Sequence, residues 1–90
     1  MNSETLIPSE QVVCVDLSGG EGVLVDLNSK KYFQLNETAM LVWRSLEKKR
    51  APEEIVGELT AAYDVTPEHA AESVARLLRE FQSRKIVRPS

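Results

Sequence analysis

Between Gln11 and Leu35 short apolar runs with imperfect alternation are separated by turn residues, whereas from Ala39 onward apolar residues recur every third or fourth position. A period of two places residues on opposite faces of a strand, and a period near 3.6 gathers them on one stripe of a helix. The segments "QVVCVDL", "GVLVDL" and "KYFQL" therefore read as three strands, rich in Val, Leu and aromatics. Glycines in "SGGEG" suit the first turn, and Asn and Ser in "NSK" suit the second. The predicted product is a three-stranded antiparallel meander. In it Val13, Val15 and Leu17 share one face, with Val12 and Cys14 on the other. In the third strand Phe33 and Leu35 share a face, and Tyr32 and Gln34 take the opposite one.

Three helices follow. Asn36 is a suitable N-cap, Glu37 suits the positive end of the helix dipole, and Ala39, Val42, Trp43 and Leu46 form an apolar stripe. The run Lys48 to Arg50 fits that helix's negative end. Pro52 and Pro67, the latter after Thr66, are suited to the first helical position because their missing N–H would be unpaired there. Ile55, Val56, Leu59, Ala62 and Tyr63 are expected on the buried side of the second helix, and the third should run from Pro67 to about Arg84. Its apolar residues Ala70, Ala71, Val74, Ala75, Leu77, Leu78 and Phe81 cover roughly 160°, whereas one core needs little more than about 100°. Either this helix crosses both the sheet and the other helices, or one margin lines a groove: Leu78 with Ala71, or Leu77 with Ser73. The pattern predicts an α+β domain over residues 1–90, with the first ten or so residues and the last few expected to be mobile.

Composition narrows the functions. Ninety residues allow only a modest core, which leaves little room for a deep enclosed active site. A net charge of −3 supplies no general attraction for a phosphate backbone. The single cysteine, Cys14, permits no internal disulfide and fits a reducing cytoplasm, with a packing role expected. The first residues lack a basic region and a long apolar run, and no segment approaches the ~20 apolar residues of a membrane span. His69 has no second histidine or acidic cluster beside it, and no CxxC or HExxH motif is present. "GGEG" lies between two strands rather than between a strand and a helix, which makes it a turn and not a phosphate cradle. No enzyme activity, metal or cofactor is therefore expected.

The order "GVLVDLNSKKYFQLNETAMLVWRSL", "PEEIVGELTAAYDV", "ESVARLLREFQSRKIV" resembles the PqqD-like family, the precursor-recognition elements of ribosomally made, modified peptides. The resemblance spans nearly the whole chain beyond residue 10. The segments "YFQLNETAMLVW" and "AAYDV" are most similar to the stand-alone members that serve lasso-peptide assembly. Two departures stand out: "EKKRA" where family members often carry Asp-Gly, and Lys85 where they often carry Gly.

The resemblance implies a winged helix-turn-helix-like fold that binds a precursor's leader peptide without doing chemistry. The leader would add as a strand to Lys31, Tyr32, Phe33, Gln34 and Leu35, and sit against Val74, Leu77, Leu78 and Phe81 of the third helix. Arg76, Arg79 or Arg84 would meet acidic leader residues at the rim. The expected partners are the leader, a separate leader peptidase and maturation enzymes, with no nucleic acid or membrane, and the chain a monomer or weak homodimer. Two other readings compete. A winged-helix DNA-binding regulator is one, although residues 66–90 carry five basic and three acidic groups, a balance of only +2. An assembly subunit pairing its own exposed edge is the other.

Overall fold

The computed structural model describes residues 5–89. Five strands and three helices follow one another in the order β1 (Leu6–Pro8), β2 (Val12–Asp16), β3 (Gly22–Asp26), β4 (Lys31–Leu35), α1 (Glu37–Glu47), α2 (Pro52–Ala62), α3 (Pro67–Ser83) and β5 (Val87–Pro89). Strands β2, β3 and β4 form the expected antiparallel meander, with β4 at one edge. A short 3-10 turn, Ser18–Gly20, joins β2 to β3, and Gly19 and Gly20 take φ of 79° and 82° there, which a side chain would resist. Gly22 serves packing instead. A Cβ at that position would lie 2.5 Å from Met40 Sδ, so its hydrogen lets α1 approach the sheet.

One expectation is overturned at the termini. Leu6–Pro8 pairs antiparallel with Val87–Pro89, Ser9 N–H donates to Ile86 C=O at 2.9 Å, and Leu6 is only 4% exposed. These segments are tied into the fold rather than mobile, because burying Leu6, Ile86 and Val87 outweighs the entropy of ordering so few residues. Residues 1–4 and 90, also within the segments expected to be mobile, lie outside the described residues.

The helices start where their caps dictate. Asn36 Oδ1 accepts from Ala39 N–H at 2.9 Å, and Thr66 Oγ1 from His69 N–H at 3.1 Å. Before α2 the Ala51 N–H donates to Glu54 Oε1 at 2.8 Å, with Pro52 first in the helix. Helices α1 and α3 each end on a lysine in left-handed backbone. Lys49 (φ 62°) and Lys85 (φ 59°) donate to Leu46 and Gln82 carbonyls, and the next residues, Arg50 and Ile86, reach back to Ser45 and Phe81. Each is a Schellman end, a position that favours glycine. The departure at Lys85 thus falls on a conformationally special site.

The α1 stripe is buried as expected, with Trp43 at its centre and its ring edge-on to Phe81, centroids 5.4 Å apart. In α2 Ile55 and Leu59 are buried and Val56 is half-buried, but Ala62 is exposed, and Tyr63, just past the helix end, is half-buried. Helix α3 buries Ala70, Ser73, Val74, Leu78 and Phe81, while Ala71 and Ala75 face solvent. Its contact arc is therefore narrower than the apolar arc of its sequence, since a methyl group exposes too little surface to force burial.

Candidate functional site

The side of β4 away from β3 has no strand against it among the described residues. Which of its backbone groups are free follows from the ladder. Leu27 N–H donates to Gln11 C=O and Leu17 N–H donates to Glu21 C=O, so the odd-numbered residues of β3 and its flanks turn toward β2. In an antiparallel ladder a residue's N–H and C=O point the same way, and neighbours point oppositely. Gly22, Leu24 and Asp26 therefore bond to β4, where their partners are Leu35, Phe33 and Lys31. That leaves Tyr32 and Gln34 to present their N–H and C=O groups to the open edge.

Side chains follow the opposite logic. Phe33 is half-buried and Leu35 buried on the inner face, whereas Tyr32, 74% exposed, and Gln34 lie on the outer one. Between the inner edge of β4 and α3 lies a cleft of about 170 Å³, smaller than the ~300–1,000 Å³ of small-molecule sites and suited to side chains of a bound segment. Its apolar lining is Phe33, Leu35, Ala39, Leu77, Phe81 and Ile86, and its polar lining is Gln34, Asn36, Glu80 and Arg84. Arg84 is held in place: its guanidinium sits 4.8 Å from the centre of the Phe33 ring.

Of the residues singled out from sequence, the fold brings Phe33, Gln34, Leu35, Leu77, Phe81 and Arg84 together around this cleft. Lys31 lines an adjoining hollow with Arg84 and Lys85, and the Tyr32 side chain lines a separate hollow with Val25 and Leu27. Four residues lie elsewhere. Val74 and Leu78, four residues apart and so on one face of α3, are buried in the core, while Leu77, a 100° step from Leu78, turns to the cleft. Arg76 and Arg79 are exposed and outside the cleft lining; Arg79 is roughly opposite Leu77 on the helix. Of the margin expected to pair Leu77 with Ser73, Leu77 lines this cleft and Ser73 a separate pocket. Asn36, Ala39, Glu80 and Ile86 were not foreseen as lining residues. Asn36 and Ala39 carried clear capping and core signals that masked this second role.

The hairpin that delivers β4 is fixed by Asp26, 6% exposed, whose Oδ1 accepts from Asn28 N–H at 3.0 Å and Ser29 N–H at 3.3 Å. Burial opposes ionisation of Asp26, but the backbone N–H groups of Ser29 and Asn28, aided by the Ser29 and Gln11 side chains, outweigh it. Its carboxyl is held below the usual carboxylate range. On the far side, Arg44 is held protonated by Glu47, at 2.9 Å, and by Asp16. Burial pushes the Cys14 thiol up, with Glu47 and Asp16 adding to the shift against Arg44. That environment suits packing rather than nucleophilic chemistry. No group of three His, Cys, Asp or Glu among the described residues is placed to hold a metal, and no helix there is long and apolar enough to cross a membrane.

Comparisons with known proteins identify the family and the fold. The family model described as coenzyme PQQ synthesis protein D (PqqD) matches residues 21–87. No curated protein matches the chain. Two solved structures are similar over most of their length. One is TbiB1 in complex with the TbiA(beta) leader peptide, with 28% identity, a TM-score of 0.84, and 90% of this chain and 93% of the other covered. The second is a lasso peptide synthetase B1 complexed with the leader peptide, with 26% identity, a TM-score of 0.84, and coverage of 94% and 99%.

Proposed function

The chain belongs to the PqqD family, and from that premise we propose that it binds the leader segment of a ribosomally made precursor, in lasso-peptide assembly, without catalysing a reaction itself. The observation that carries this reading is the open edge of β4 beside an apolar cleft. An extended leader completes the sheet by exchanging backbone hydrogen bonds with Tyr32 and Gln34, while its alternate side chains enter the cleft against Leu77 and Phe81. Both similar structures hold leader peptides, which supports the same use of this fold.

Magnitudes divide the work between edge and cleft. Two outward-facing residues offer about four hydrogen bonds, worth ~1 kcal/mol each once exchanged with water. Ordering a flexible leader costs about 2 to 5 kcal/mol, so the backbone pairing roughly breaks even. Net affinity and selectivity then come from side chains entering the cleft, at about 1.5 to 3 kcal/mol for each one fully buried. Held this way in the cytoplasm, the leader keeps its cleavage junction at high local concentration for a separate leader peptidase and maturation enzymes that dock the complex.

A titration separates this reading from its rivals. Fluorescein-labelled leader, from a precursor encoded in the same gene neighbourhood, is expected to bind, with a scrambled leader binding at least tenfold more weakly. Salt-sensitive binding of duplex DNA with indifference to the leader would instead favour a winged-helix regulator.

A further inference from the structure

The cleft is the middle of a longer track along α3. Beyond its Leu77 end, one turn back along the helix, a second pocket of about 150 Å³ is lined by Thr38, Leu59, Tyr63, Val65, His69 and Ser73. Beyond its Arg84 end lies the hollow where Lys31, Arg84 and Lys85 outnumber one carboxylate, that of Asp26, which already accepts from two backbone N–H groups. The two ends therefore differ in kind. One is a pocket lined by no carboxylate, Lys or Arg, with Leu59 and Val65 supplying its apolar surface, past the point where β4 gives way to α1 and no strand edge remains. The other is a basic mouth at the start of β4.

Resting on the leader-binding reading above, we propose that these two outer subsites set the direction and register of the bound peptide. An apolar side chain occupies the Leu59–Val65 pocket, and a carboxylate sits between Lys31, Arg84 and Lys85. Helix α3 runs opposite to β4, since Arg84 faces Phe33 and Leu77 faces the Leu35 end. An incoming strand antiparallel to β4 keeps the pairing of the whole sheet, and antiparallel ladders are the slightly more stable kind. Its N-terminal side then enters the apolar pocket and its C-terminal side meets the basic mouth. Ser73 and Arg84 are eleven helical residues apart, about 16 Å along the axis, which an extended chain spans in roughly five residues. The recognised peptide therefore carries a large apolar residue followed about five or six positions later by Asp or Glu.

The probe is a random 12-residue display library selected on the full chain, with selected peptides then synthesised and titrated. Enrichment of that spacing in that order is expected. Replacing the acid by Ala should weaken binding about threefold to tenfold, and replacing the apolar residue about tenfold. The Lys31→Glu/Lys85→Glu double variant should prefer Lys or Arg where the wild type selects an acid. A benzophenone in place of the apolar residue should cross-link to the 59–73 segment, a readout that needs no variant. Peptides that lose binding to Tyr32→Pro but show neither the spacing nor the cross-link would overturn this proposal and leave leader binding standing. Peptides indifferent to Tyr32→Pro would remove the leader-binding reading itself.

Discussion

A proline placed at Tyr32 distinguishes the outward edge of β4 from its inward one. The ladder assigns the Tyr32 N–H to the open side, so Tyr32→Pro deletes no bond to β3. The side chain is 74% exposed, so little burial is lost, and Lys31 before it is already extended, as a pre-proline residue prefers. The thermal midpoint should fall by less than about 5 °C. Binding is another matter. The variant removes one donor to the leader and strands a leader carbonyl, worth about 1 to 3 kcal/mol, or roughly five- to 150-fold in Kd. Tyr32→Ala, which keeps the N–H, should lose at most about fivefold. Phe33→Pro is the counterpart: it removes a donor to β3, leaves the carbonyl of fully buried Leu24 unpaired, and strips the ring from beneath Arg84. A cost of about 3 kcal/mol lowers the midpoint by roughly 12 to 24 °C. Circular-dichroism melts and anisotropy titration of labelled leader measure both quantities. If a folded Tyr32→Pro binds as Tyr32→Ala does, or if the two prolines exchange their effects, the assignment of outward groups is wrong.

Two further outcomes are expected. Lys49→Gly and Lys85→Gly each relieve a left-handed lysine, and after the extra chain entropy of glycine each should add about 0.5 to 1 kcal/mol, raising the midpoint by a few degrees in calorimetry. Because Asp26 is held below its unfolded value of about 3.9, its contribution to stability is complete above that pH and fades as pH falls through the lower folded value. Urea unfolding should therefore show wild type more stable than Asp26→Asn at pH 6, with the gap narrowing as pH falls below the unfolded value of about 3.9.

What the chain determines locally, it shows locally. The meander, the helix starts at Asn36, Pro52 and Pro67, and the Trp43 stripe rest on periodicity, capping and turn chemistry, all of which act over a few residues. Family resemblance added the expectation that β4 receives the leader, because the order of elements is itself a sequence property. Tertiary structure decided the rest. Leu6–Pro8 and Val87–Pro89 are too short to show a period and gain their shape only from each other, across the length of the chain. The broad apolar arc of α3 left its two margins equivalent, and only packing against α2, α1 and β5 turned Val74 and Leu78 inward and left Leu77 on the cleft. Arg84 gained its place over Phe33, and Asn36 and Ala39 their place in the lining, in the same way. A groove is a relation between surfaces distant in sequence, and burial energy depends on what each face meets rather than on the face alone.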